Sequence, residues 1–250
     1  LLAMRFDTQA VPHAPAVTSV PVVMRRVLYA LIPAAITYTL FFGWGLLLNF
    51  AFAAAAALAA EAAILHLRGR DPVAALGDNS ALVTAALLAF ALPPLVPLWL
   101  PMLGSAVAIV LAKQLFGGLG RNLFNHAMLG YALLLVSFPV AMTQWLPPRM
   151  GDLDYRRLTF AEHTAYAAVG HVPAGLTVDA LTRATPLDQL KDGLRAGRTF
   201  TDVRANSLFG DFGGQGWEWV GNAIVLGGLY LLFTGVIRWQ IPVAMLAGVL

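Results

Sequence analysis

The 250-residue sequence contains no cysteine. That excludes disulfides, thiolate nucleophiles and any iron–sulfur cluster held by this chain's own thiolates. Charge is also scarce. Asp, Glu, Lys and Arg make up 12% of the residues, while apolar and aromatic types supply 59%. A soluble domain of this length needs far more polar surface, so the composition places the chain in the membrane class. Histidine occurs only at positions 13, 66, 126, 163 and 171, all outside the centres of the apolar runs. This argues against a haem clamped between membrane helices, whose axial ligands would lie within them. The net charge of +3 is small, and short basic loops explain it better than a nucleic-acid partner does. Residues 1–26 lack the basic start, apolar middle and small-residue cleavage site of a signal peptide. The sequence begins on Leu1 and stops within an apolar run that starts at Ile241. The natural start is therefore expected to lie elsewhere, and the protein to continue beyond Leu250.

What is present is a succession of apolar runs: 27–44, 46–65, 81–100, 102–116, 127–146 and 219–237. Runs of roughly 18–22 residues cross the ~30 Å hydrocarbon layer as helix. A β-barrel would instead alternate strictly in shorter segments, which Ala53-Ala54-Ala55-Ala56-Ala57 does not. The predicted fold class is all-α, a polytopic membrane helix bundle that forms part of a larger inverted-repeat bundle. Residues 1–26 form a cytoplasmic segment, 27–146 five spans with a Gly-rich turn, 147–217 a long extracytoplasmic loop, and 218–250 a sixth span and the start of a seventh. Gly43-Trp44-Gly45 is a tight turn between the first two spans, and Pro93, Pro94 and Pro97 bend the third. Every second short connection is basic: Arg25 and Arg26, then Arg68 and Arg70, then Lys113 and Arg121, then Arg238. Positive charge on the inner side puts the N-terminus in the cytoplasm and the 147–217 loop outside.

Several polar stretches stand out. Thr185, Pro186, Asp188, Lys191, Arg195 and Gly197 have the order of an N-cap, a first-position proline, an acid in the first turn, bases in the last and a stop. Gly117-Gly118-Leu119-Gly120-Arg121-Asn122-Leu123-Phe124-Asn125 does not have dinucleotide-fingerprint spacing. It reads as a packed re-entrant turn or, with Asn122 and Asn125, as the lining of an ion or cofactor site. Glu61 is a carboxylate inside the second span and is either paired structurally or on an ion path, with Lys113 as a partner within reach. Asp78-Asn79-Ser80 reads as a helix cap. Taken by itself, Asp179-Ala180-Leu181-Thr182-Arg183-Ala184-Thr185 is only an acid and a turn leading to the cap.

Taken together, five blocks carry a resemblance. They are Asp78-Asn79-Ser80-Ala81-Leu82, Ala112-Lys113-Gln114-Leu115-Phe116-Gly117-Gly118-Leu119-Gly120, Ser137-Phe138-Pro139-Val140, Met142-Thr143-Gln144-Trp145-Leu146-Pro147-Pro148, and Ala184-Thr185-Pro186-Leu187-Asp188. In order and spacing they resemble the D-subunit family of the Rnf electron-transport complexes and, more distantly, the B subunit of the sodium-pumping NADH:quinone reductase. The resemblance implies FMN joined through its phosphate to a threonine hydroxyl in a motif running Asp, two variable residues, Ser or Thr, a variable residue, Ala, Thr. Here those places are Asp179, Thr182, Arg183, Ala184 and Thr185, which makes Thr185 the acceptor. Arg183 stands where related flavoproteins often carry glycine, and Leu123 and His126 stand where the family usually has proline.

The same resemblance implies a complex that moves electrons between reduced ferredoxin and NAD⁺ and couples this to Na⁺ or H⁺ transport across the bacterial inner membrane. This chain would contribute a flavin relay, with riboflavin as a further candidate cofactor, and no residue of its own would be catalytic. The implied partners are a flavin-carrying G subunit, the membrane A and E subunits, a flavin transferase that matures the chain, and the lipid bilayer. Glu61, Asn122 and Asn125 are the ion-path candidates. The competing class is a channel or solute transporter with no redox cofactor, which broken helices and Gly-rich turns would suit equally well.

Overall fold

The computed structural model describes residues 19–120, 124–149, 158–172, 174, 175, 177, 181–206, 208–210 and 213–249. Two helices of 23 residues, Val20–Phe42 and Gly45–Leu67, are long and apolar enough to cross a membrane. At 1.5 Å per residue each spans about 35 Å. Four shorter apolar helices run alongside: Ser80–Ala91, Trp99–Gln114, His126–Ser137 and Trp217–Phe233. The turn between the first two sits at Gly43, whose φ of 83° lies in the region that glycine tolerates best. Regular structure among the described residues is helical apart from one bridge between Phe209 and Gly214.

Small residues let these helices approach closely. Ala53 and Ala57 pack on Ala81, Ala85 and Ile109. A Cβ on Gly130 would meet the carbonyl of Gly104, and one on Gly227 the carbonyl of Ala30. The surface turned away from these contacts is apolar. Tyr29, Ile32, Ile36 and Leu40 lie exposed along one stripe of the first helix. Such a stripe is unfavourable in water and suits lipid or a neighbouring subunit.

The apolar runs and the helices do not coincide. The third run was expected to continue, bent, to Leu100, but helix ends at Ala91 and residues 92–98 are irregular and largely buried. Pro93, Pro94 and Pro97 lack backbone donors, so the ladder cannot pass through them. The freed carbonyls are satisfied from elsewhere in the chain. Asn49 Nδ2 donates to the Pro93 carbonyl at 3.1 Å, and His163 Nε2 to that of Pro94 at 2.8 Å. The amide of Leu98 donates to the Ala167 carbonyl at 2.9 Å. The fifth run likewise stops at Ser137, and Pro139 opens a separate turn over Pro139–Met142.

Gly45 lies against this break, and a Cβ there would come within 2.6 Å of the Pro94 Cα. Gly45→Val is therefore expected to displace the proline segment and to cost about 1–3 kcal/mol, as overpacking generally does. A thermal melt of the detergent-solubilised protein checks this, and an unchanged midpoint would contradict it.

Candidate functional site

The two ends of the bundle differ in chemistry. At one end the rings of Tyr38, Phe42 and Trp217 cluster, and Trp145 meets Trp217 edge-on at 5.2 Å. Trp44 packs against Phe160 and Trp99 against Phe138. A ring of tryptophans is what a bilayer interface favours, since indole is apolar but carries one N–H. The described parts of the 147–217 segment gather here. Helix Phe160–Val169 begins with a capping box of Thr159 and Glu162 and ends at Gly170. Its Ala167 packs with Leu48 and Leu98.

Thr185 caps the helix Pro186–Arg195. Its Oγ1 accepts the Asp188 amide at 3.2 Å and donates to Asp188 Oδ2 at 2.7 Å. Proline in the first turn, Asp188 in the third position and Arg195 in the last turn complete the pattern read from sequence. The residues just before Thr185 are tethered to the tryptophan end. Leu181 is buried with Leu95 and Leu158, and the Arg183 amide donates to the Trp145 carbonyl at 2.9 Å. Thr185 is half-buried, while Arg183 and Ala184 are exposed. Thr182, Ala184 and Thr185 thus lie on one short anchored segment. Asp179 of the same motif lies outside the described residues, as does Asn122 of the Gly-rich turn.

The capping geometry alone does not single out Thr185. Thr199 makes the same reciprocal box with Asp202, its Oγ1 donating at 2.6 Å, and Thr159 does so with Glu162. The surrounding motif, the anchoring at Trp145, the following proline and the lower exposure distinguish Thr185 from these.

At the other end lies a buried polar cluster. Glu61 and Lys113 are 1% and 2% exposed and form an ion pair through Glu61 Oε1 and Lys113 Nζ. Gln114 Nε2 donates to the same Oε1 at 3.0 Å, and Arg68 Nη1 donates to Gln114 Oε1 at 3.4 Å. Lys113 Nζ also donates to Ser80 Oγ at 2.5 Å and lies 3.9 Å from Asp78 Oδ2. Asp78 Oδ1 accepts from the Ser80 amide at 2.7 Å and from its hydroxyl, whereas Asn79, which stands at the cap position expected from the sequence, makes no side-chain cap bond. Lys113 and Gln114 close a π-helical stretch, Ala108–Gln114. Its wider turn brings the two neighbouring side chains toward one carboxylate, and π segments recur at functional sites.

The sequence reading anticipated the Glu61–Lys113 pair. Ser80 and Gln114 were missed as members of this cluster, since a cap serine and a lone glutamine carry no signal of their own. Asn125 is not drawn in. It caps His126–Ser137, its Oδ1 accepting from Ala127 at 3.0 Å and Met128 at 3.4 Å, so the structure gives it a capping role.

His163, on the helix that follows residue 158, was also missed. Burial pulls its imidazole below the usual 6.5, with the Pro94 hydrogen bond opposing. A neutral imidazole serves as donor to that carbonyl. Because the folded pKa is lowered, the unfolded chain takes up the proton first as pH falls. The stability His163 contributes is thus fully present above pH 6.5 and declines as pH drops below it. A midpoint measured at about pH 7.5 and about pH 5.5, either side of the ordinary histidine range, should fall more for the native chain than for His163→Gln. Equal falls would contradict this.

A family model described as the NQR2, RnfD, RnfE family matches residues 7–250. The chain is 45% identical over 250 residues to the D subunit of the ion-translocating oxidoreductase complex from Aeromonas salmonicida, covering 98% of this chain and 71% of that protein. It is 45% identical over 252 residues to the protein of the same name from Vibrio cholerae, with 98% and 72% covered. Against its Citrobacter koseri namesake it is 46% identical over 231 residues, covering 90% of this chain and 66% of that protein.

Proposed function

The chain belongs to the NQR2, RnfD, RnfE family, and from that premise we propose that, as the D subunit of an ion-translocating oxidoreductase complex, it carries FMN covalently on Thr185 as an electron relay. The complex exchanges electrons between reduced ferredoxin and NAD⁺ and couples this to Na⁺ or H⁺ transport. The subunit is one part of a translocase and not an independent catalyst. Its neighbours are the flavin-carrying G subunit and the membrane A and E subunits, in the inner membrane, with Thr185 on the periplasmic side where a flavin transferase acts on it. Riboflavin is a second candidate cofactor.

The observation that carries this reading is the position of Thr185, a half-buried residue at the start of a ten-residue helix, within the motif and tethered through Arg183 to Trp145. The residues present fit a phosphodiester. A helix start offers backbone N–H groups and the positive end of the macrodipole to an anion. The Asp188 amide that now bonds to Thr185 Oγ1 is one such donor. Esterification removes the hydroxyl hydrogen, so the bond from Thr185 to Asp188 Oδ2 is lost and the carboxylate must turn away from the phosphate. When bound, FMN supplies one-electron transfer, and the protein's contribution is to fix its position and exclude solvent. The tryptophan cluster beside the tether provides an apolar, rigid support for that. Glu61 and Lys113 supply the polar contact of the bundle interior on the ion path.

The test is colour. The full-length chain expressed with a flavin transferase should show flavin fluorescence that survives denaturing electrophoresis. A colourless band under those conditions would sink the relay and favour a transporter without redox cofactor.

A further inference from the structure

The Glu61 carboxylate is bonded unevenly. Oε1 accepts from both Lys113 and Gln114, while Oε2 is buried and has no hydrogen-bond partner among the described residues. An ionised oxygen left unsatisfied away from water is costly, and an oxygen ligand of that kind suits a small hard cation or a proton. Two positive charges cannot comfortably share one buried carboxylate, so a cation arriving at Oε2 repels the Lys113 ammonium. That ammonium has somewhere to go. Asp78 Oδ2 is 3.9 Å from Nζ, the Asp78 side chain is 25% exposed, and Ser80 Oγ bridges the two positions with a bond to each.

We propose that Lys113 is a tethered counter-cation that moves between Glu61 and Asp78, so that a small monovalent cation occupies Glu61 only while Lys113 is held by Asp78. Glu61 then keeps a positive partner in both states, and the buried site never carries a bare charge. The movement is a swing of one lysine side chain through hydrogen-bonding distance of Ser80. This rests on the complex being ion-translocating and is independent of the flavin on Thr185.

The decisive variant is Asp78→Asn. An asparagine oxygen can still accept from the Ser80 amide, so that local bond survives, but the second anionic station is gone. The complex containing the full-length chain is reconstituted in liposomes and driven by reduced ferredoxin and NAD⁺. Cations moved per electron are read twice, as radioactive sodium uptake and as acidification in Na⁺-free buffer, and the arm active in the native complex identifies the cation. Asp78→Asn is expected to lower that ratio at least fivefold with the flavin band intact. The double variant Glu61→Gln/Lys113→Gln, which keeps a neutral hydrogen-bonded pair, is expected to do the same. A ratio within fivefold of the native one in either variant would overturn the proposal, leaving the cluster as a structural ion pair. Loss of the flavin band from the native complex would instead count against the relay and leave this result interpretable.

Discussion

Thr185→Val is expected to abolish the covalent flavin proposed for this chain and, with it, electron transfer through the complex. Valine matches threonine in shape, so the change isolates the hydroxyl. Two separable effects follow. The first is chemical: without Oγ1 there is no atom to esterify, and the fluorescent band should vanish completely. The second is structural: the cap on Pro186–Arg195 is lost, because the Asp188 amide at 3.2 Å no longer has an acceptor. Loss of such a cap costs about 0.5–2 kcal/mol. Two controls separate these effects. Thr199→Val removes an equivalent capping box, with its own acid at Asp202, and should cost similar stability without touching the flavin. Thr182→Val lies within the motif and should leave most of the signal. If electron transfer survived in Thr185→Val, the subunit would be a structural anchor.

Breaking the Glu61–Lys113 pair is the second large effect. Both side chains are buried and each neutralises the other. Lys113→Met leaves a carboxylate without its cation, and Glu61→Gln leaves an ammonium with only Ser80 and a more distant Asp78. Removing one member of a buried pair costs about 3–5 kcal/mol, chiefly as the penalty of the charge left behind. Either single variant should therefore lower the yield or thermal midpoint of the subunit. The double variant Glu61→Gln/Lys113→Met should recover most of the loss, since no bare charge remains. The comparison is a double-mutant cycle on midpoint. Additive losses would mean that the two residues do not interact as the structure places them. Ion transport should fail in Glu61→Gln whatever its stability, and unchanged transport would count against Glu61 on the ion path.

How much of this was legible in the sequence depends on distance along the chain. The Thr185 cap and its helix were readable because every signal lies in the short stretch from Thr185 to Gly197, and capping is local chemistry. Thr159 with Glu162, and Thr199 with Asp202, have the same box order but lack a proline at the first helical position, so the sequence marks those helix starts less strongly. The buried pair was within reach because a carboxylate in an apolar run demands a partner. What hydropathy hides is backbone conformation. Residues 81–100 are apolar apart from Thr84, yet helix stops at Ala91 and resumes only at Trp99, because apolarity reports surroundings and not dihedral angles. The groups that make the proline break tolerable, Asn49 and His163, lie 44 and 69 residues from the carbonyls they satisfy. Neither pattern nor propensity links residues so far apart.

The family match fixes what kind of subunit this is, while the flavin on Thr185 is the claim from which its role as a relay follows. Trypsin cleavage after Arg183 and Lys191 would release residues 184–191, a peptide in which Thr185 is the sole hydroxyl-bearing side chain. Mass spectrometry of that peptide, from the full-length chain matured with a flavin transferase, is the most direct measurement. The account predicts a mass raised by one FMN less one water, with fragment ions placing the addition on Thr185. An unmodified peptide, or the same addition found on the Thr199 peptide, would contradict it.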